Sequence, residues 1–127
     1  MSNPADFEPG FDAILRERTD SILLIPEPLV LSKREVIGEF AQRHRLPLAV
    51  VGGRSFMPAG ALLAYGPVNQ VPQLTARYID RILKGAKPGE LAVEQPSRFE
   101  LLISMKTANA LGLSIPQSVL LVAEVVA

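Results

Sequence analysis

Cysteine and tryptophan are both absent from this sequence of 127 residues, and histidine occurs once, at His44. Without a thiol, the chain has no disulfide, no thiolate nucleophile and no cysteine ligand for zinc. A single histidine also excludes a multi-histidine metal centre. We therefore expect neither a metal nor a cofactor.

An excess of one charge is also missing, since 13 Lys and Arg residues balance 13 Asp and Glu residues. This balance gives no general attraction for nucleic acid, so we expect no nucleic-acid partner. Apolar runs are short, because Glu124 interrupts the apolar tail 119–127 and no run approaches the ~18 residues of a membrane span. Residues 1–6 have neither a charged stretch nor the apolar core of a secretory signal, so we expect no such signal in this chain. Its length and composition predict a single soluble domain.

Hydrophobic residues are plentiful, at 48% of the chain, and their pattern alternates between short apolar runs and amphipathic stretches. The runs predict strands, and the first is expected to be buried on both faces. The predicted strands are 21–25, 48–51, 61–65 and 99–105. The predicted helices are 11–18, 32–44, 71–83 and 106–111, and 116–127 is open between helix and strand. This order predicts an α/β fold with an open, mostly parallel sheet flanked by helices.

The helix predicted at 32–44 has two local features. Ser32 and Glu35 have the spacing of a capping box, although the helix could also begin a turn earlier, after Pro28. His44 falls on the apolar face with Phe40, and no nucleophile and acid are grouped near it in sequence. We therefore expect the His44 ring to pack beside Phe40, and an enzyme built on His44 is the weaker reading.

Ligands of open parallel sheets bind beyond the carboxyl ends of the strands. We therefore predict a ligand-binding site from residues at the carboxyl ends of the first three strands. These residues are Glu27, Pro28, Arg54, Phe56, Tyr65, Gly66 and Pro67. A carboxylate, a guanidinium, two aromatic rings and rigid turns can recognise a small polar ligand, but they contain no acid, base and nucleophile set. Ordinary loop residues remain the alternative.

A series of sequence blocks carries a resemblance to a known family. The blocks are 20–28, 43–47, 59–67, 78–88, 93–96, and 99–108 with 110–113. Leu83-Lys-Gly-Ala-Lys-Pro88 and Val93-Glu-Gln-Pro96 are the most characteristic of them. In this order they resemble the carboxyl-terminal part of ABC-transporter substrate-binding proteins, in the branch that includes tryptophan-binding members.

The resemblance implies part of a two-lobed, type I periplasmic binding protein. By this resemblance, 1–60 would belong to the second lobe, 61–92 would form a strand and helix of the first lobe, and 93–127 would return to the second lobe. It implies a small-molecule solute such as an amino acid or organic acid, an ABC transporter permease as partner, and a periplasmic location. It implies binding without catalysis, as a fragment or a truncated paralogue of the longer family members.

A second hypothesis is a stand-alone α/β module that binds no solute and associates with itself. A lone set of parallel strands leaves edges unpaired, which favours pairing with another copy. This hypothesis predicts a homodimer that buries much of 61–83 or the strand that begins at Phe99.

Overall fold

The structure is a computed structural model that describes residues 3–68, 71–95 and 98–126. These residues form a five-stranded sheet in which strand order follows the sequence. The strands are β1 (Ile22–Leu24), β2 (Leu48–Val51), β3 (Leu63–Pro67), β4 (Phe99–Ser104) and β5 (Glu124–Val126). β1 runs parallel to β2, β2 to β3, and β4 to β5.

The central pair, β3 and β4, runs antiparallel. The Ser104 amide donates to the Leu62 carbonyl at one end of this pair, and the Val68 amide donates to the Arg98 carbonyl at the other. The sheet is therefore mixed and mostly parallel, which confirms the predicted fold class. The carboxyl ends of β1, β2 and β3 lie at one edge of the sheet, which we call the carboxyl edge, and β4 and β5 begin there.

Helices of the described residues lie between the strands along the chain. They are α1 (Phe7–Arg16), α2 (Pro28–Ser32), α3 (Arg34–Arg43), α4 (Val71–Leu83), α5 (Met105–Leu111) and α6 (Gln117–Leu120). The helix predicted at 71–83 is confirmed. A helix does begin at Pro28, but it ends at Ser32 and a separate helix follows from Arg34. α1 begins four residues before the predicted Phe11. The segment predicted as helix or strand contains both, since α6 is followed by β5. Pro96 and Ala127 lie outside the described residues.

The predicted capping box is wrong. The Ser32 hydroxyl donates to the Leu29 carbonyl at 2.6 Å, within α2. Lys33 is the residue before α3, and its side chain makes no capping bond. Because the backbone breaks at Lys33 (φ −106°, ψ 15°), Ser32 ends one helix instead of starting the next.

The hydrophobic core lies between the inner strands β2, β3 and β4 and the helices packed against them. Leu48 and Val50 of β2 are almost fully buried, together with Phe56 and Leu102. β1 is an edge strand, and Leu23 remains 71% exposed. The prediction that this strand is buried on both faces is therefore wrong, because side chains alternate and only the face of Ile22 and Leu24 packs on the core.

The chain divides into two compact units, one of Met1–Gly66 with Glu100–Ala127 and one of Pro67–Phe99. The second unit contains α4, which has no buried residue among those described. The Tyr78 hydroxyl fastens the following segment to α4, since it donates to the Ala92 carbonyl at 2.6 Å and accepts from the Glu94 amide at 3.0 Å. No helix of the described residues is both long and apolar enough to cross a membrane.

Candidate functional site

The predicted ligand-binding residues of the first unit lie at or just after the carboxyl ends of β1, β2 and β3. Glu27 comes after β1, in extended backbone (φ −114°, ψ 164°) directly before α2, and Pro28 is the first residue of that helix. Both side chains are exposed. Glu27 also lines a cavity of about 290 Å³ together with Phe11, Ile25 and Val30.

The ends of β2 and β3 meet at a close backbone approach. The Gly52 amide donates to the Tyr65 carbonyl at 2.7 Å. A Cβ added at Gly66 would lie 2.7 Å from both the nitrogen and the Cα of Gly52. Since real Cβ atoms do not approach a backbone this closely, glycine is required at this position for the two strand ends to touch.

The chain leaves β2 through Gly53, whose φ of +70° favours glycine, and enters a short 3₁₀ helix, Arg54–Phe56. This turn places the two predicted residues differently. Phe56 is fully buried in the core, with 0% of its surface exposed. Phe56 therefore supports the loop from inside, and we leave it out of the proposed ligand contacts. Arg54 is exposed at the carboxyl edge.

Arg54 is held by two carboxylates that the sequence analysis did not select. Its Nη2 lies 3.1 Å from Glu100 Oε2 and 3.0 Å from Glu124 Oε2. The hydrogen bond to Glu100, and next the one to Glu124, raise the pKa of Arg54 above its usual value. The guanidinium thus joins the loop after β2 to the first residues of β4 and β5, and the three groups carry one net negative charge.

The sequence contains an indication that Glu100 and Glu124 each have a charged partner. Glu100 and Glu124 each interrupt an otherwise apolar run, where an isolated charge indicates a partner. The partner could not be identified from the sequence, because Arg54 lies 46 residues from Glu100 and 70 from Glu124.

Tyr65 is the exposed aromatic residue of the predicted set, with 56% of its surface accessible on β3. In the parallel register it lies opposite Val51, which is also exposed. Gly66 is buried beside it. Pro67 is exposed, ends β3 and is the first residue of the second unit.

The carboxyl edge carries groups that can recognise a small polar ligand. Glu27 offers a hydrogen-bond acceptor, Tyr65 offers an aromatic ring, and the contact between Gly52 and Gly66 makes the backbone between them rigid.

His44 lies at the end of α3, and its ring centroid is 4.6 Å from that of Phe40, which confirms the predicted packing. Within the described ranges, no group of three or more His, Asp or Glu residues is placed to hold a metal ion.

Comparison with known proteins decides the family. The model for ABC transporter substrate binding protein matches residues 10–127, which is nearly the whole chain. The chain belongs to the ABC transporter substrate-binding protein family. The resemblance read from the sequence blocks is thereby confirmed. No curated protein sequence matches this family member significantly.

Solved structures similar to this substrate-binding family member are much longer. A conserved domain protein from Vibrio cholerae is 30% identical with a TM-score of 0.82, and the match covers 95% of this chain and 40% of that one. An ABC domain in complex with L-Trp from Streptococcus pneumoniae is 26% identical with a TM-score of 0.76, covering 90% and 39%. A ligand-free substrate binding protein with adhesive properties from Clostridium difficile, 16% identical with a TM-score of 0.68, shares the fold and covers 99% and 42%. The chain therefore spans about 40% of the length of these proteins.

Proposed function

We propose that this chain forms the second-lobe part of a solute-binding protein that delivers a small molecule to an ABC transporter permease without transforming it. The observation that carries the proposal is the family match over residues 10–127. The 26% identical relative from Streptococcus pneumoniae was solved in complex with L-Trp, which supports an amino acid as the solute proposed for this chain. A periplasmic or extracellular location follows from the same proposal.

The proposed lobe assignment keeps the order expected from the resemblance, a first-lobe piece between two second-lobe segments. Its first-lobe piece is Pro67–Phe99 instead of 61–92, because β3 pairs with β2 in the sheet of the first unit. Two observations support it. Pro67–Phe99 is a compact unit of its own. α4 within it exposes Ile79 by 52% and Leu83 by 81%, although an amphipathic helix gains stability by burying such residues.

The proposed contacts with the solute are made by residues at the carboxyl edge. Tyr65 would stack its exposed ring on the solute, and Glu27 would accept hydrogen bonds from a polar or ammonium group. The buried Gly66 would keep the edge flat, while Pro28 and Pro67 fix the directions of their loops. Arg54 is a positioning residue in this proposal, because Glu100 and Glu124 already engage its guanidinium.

Isothermal titration tests the proposal, with the 127-residue chain and the product of its complete reading frame each titrated against L-tryptophan, the other amino acids and small organic acids. We expect at least one solute to bind the complete product. Tyr65→Ala should weaken that binding about tenfold or more, because a central aromatic contact is lost. Leu121→Ala, another exposed position of the first unit, is the matched control and should change little. A complete product that binds nothing in the panel contradicts the proposal.

The self-association hypothesis is the second candidate, and the edge strand β1 favours it. Leu23 on β1 and Ile25 directly after it are 71% and 69% exposed, and among the described residues β1 has a neighbouring strand on one side only. The strand at Phe99 is unsuited to edge pairing, since β4 lies between β3 and β5. A homodimer would therefore use β1 or the predicted 61–83 surface. Light scattering at tens of micromolar tests this, with Leu23→Lys as the disrupting variant, and a monomeric wild type rejects it.

A further inference from the structure

A second cavity of the first unit lies away from the carboxyl edge. Its volume is about 330 Å³, at the lower end of the range for small-molecule sites. The end of α3, the loop before β3 and the helix α5 form its walls. The lining residues used below are Gln42, Arg45, Met57, Lys106, Thr107 and Leu111.

The position of this cavity follows from the pairing of β3 with β4. Ser104, the last residue of β4, also lines the cavity, and its amide donates to the Leu62 carbonyl just before β3 begins. The cavity therefore lies at the amino end of β3, whereas Tyr65 and Gly66 lie at the other end of that strand. A ligand in it would not compete directly with a solute at the carboxyl edge.

The charge of the lining distinguishes this cavity. Arg45 and Lys106 both line it, and its lining contains no carboxylate. Neither cation forms an ion pair within 3–68, 71–95 and 98–126. The cavity between α1 and α3 is different, since Lys33 and Arg43 there are balanced by Glu8 and Glu39. In a chain of zero net charge, such a local excess of positive charge attracts an anion.

The remaining lining combines hydrogen-bonding and apolar groups. The Gln42 amide can donate to an anion, and the buried pair Ser104 and Thr107 is held by a hydroxyl to hydroxyl bond of 3.1 Å. Met57 and Leu111 supply apolar surface. We propose that this cavity binds a small organic anion, a carboxylate or phosphate ester with an apolar body, through Arg45, Lys106 and Gln42.

Phenyl phosphate is the probe, followed by amide chemical shifts of the isotopically labelled chain. Shifts should concentrate at Gln42, Arg45, Lys106 and Thr107. Benzylamine has a similar ring and the opposite charge and should produce no such shifts, while inorganic phosphate should bind about tenfold or more weakly because it lacks the apolar body. Shifts of equal size with benzylamine, or equal affinity for inorganic phosphate, would overturn the proposed ligand class.

Charge removal provides the second arm of the test. Arg45→Gln and Lys106→Gln should each weaken phenyl phosphate binding about tenfold, the loss expected for one hydrogen bond between charged groups. Arg18→Gln is the matched control, because Arg18 is also exposed and also has a left-handed backbone, with φ of 53° against 54° at Arg45. Arg18 lies outside the cavity lining, so its variant should bind as wild type. If the Arg45 and Lys106 variants, verified as folded by circular dichroism, also bind as wild type, the site is rejected.

Discussion

Replacement of Gly66 by alanine perturbs the contact on which the carboxyl edge depends. The new Cβ would lie 2.7 Å from the Gly52 nitrogen and Cα, whereas carbon atoms normally remain about 3.5 Å or more apart. Both contacted atoms belong to the backbone, so no rotamer change relieves the overlap, and the ends of β2 and β3 must separate by about 1 Å. The 2.7 Å hydrogen bond from the Gly52 amide to the Tyr65 carbonyl would then be lost or greatly weakened.

The cost follows from these two effects. Overpacking of this kind costs about 1–3 kcal/mol, and the lost hydrogen bond adds about 1 kcal/mol. We expect Gly66→Ala to lower the free energy of unfolding by about 2–4 kcal/mol, measured by urea denaturation followed by circular dichroism. Gly89→Ala is the control, since nothing lies within 4 Å of its added Cβ, and it should change stability by less than about 1 kcal/mol. A Gly66 variant within about 0.5 kcal/mol of wild type would refute the close approach.

Three further predictions concern the core, the Arg54 bridge and the second unit. Leu48→Ala should lower the free energy of unfolding by about 2–5 kcal/mol in urea denaturation, because Leu48 is 0% exposed. Leu83→Ala should lower it by less than about 0.5 kcal/mol, because Leu83 is 81% exposed. Equal losses would contradict the assigned core. Arg54→Ala should accelerate amide hydrogen exchange in β5, because it removes the ion pair with Glu124. Arg16→Ala is the control and should leave this exchange unchanged, because it removes only an ion pair with the adjacent Glu17. Unchanged exchange in β5 of the Arg54 variant would contradict the ion pair. Tyr78→Phe removes the hydroxyl that accepts from the Glu94 amide, so exchange of that amide should rise tenfold or more, and retained protection would exclude the contact.

Most of the sheet could be predicted from the sequence because its signals are local. The apolar runs at 48–51 and 99–105 form β2 and β4, and the helix at 71–83 follows its apolar periodicity. The failures depend on tertiary context. Leu23 is apolar and still exposed because β1 is an edge strand. Ser32 does not cap the start of a helix as predicted, because the helical backbone is interrupted at Lys33.

The candidate site was predicted by position more than by contact. Topology places Glu27 and Arg54 after the carboxyl ends of β1 and β2, and Tyr65 near the carboxyl end of β3, as the order of apolar runs already indicated. The burial of Phe56 and the pairing of Arg54 with Glu100 depend on side-chain packing between distant segments. Such pairing has no local signal, since an exposed arginine after a glycine turn suits a ligand or an ion pair equally well.

The central claim is that a small solute binds at the carboxyl edge, and its most direct test is where the solute binds. The tightest-binding member of the solute panel is added to the isotopically labelled product of the complete reading frame, and backbone amide shifts are mapped. The account predicts that the largest shifts in this part of the protein occur at Gly52, Tyr65 and Gly66 and disappear in Tyr65→Ala. Shifts that avoid these amides, or persist unchanged in that variant, would contradict it.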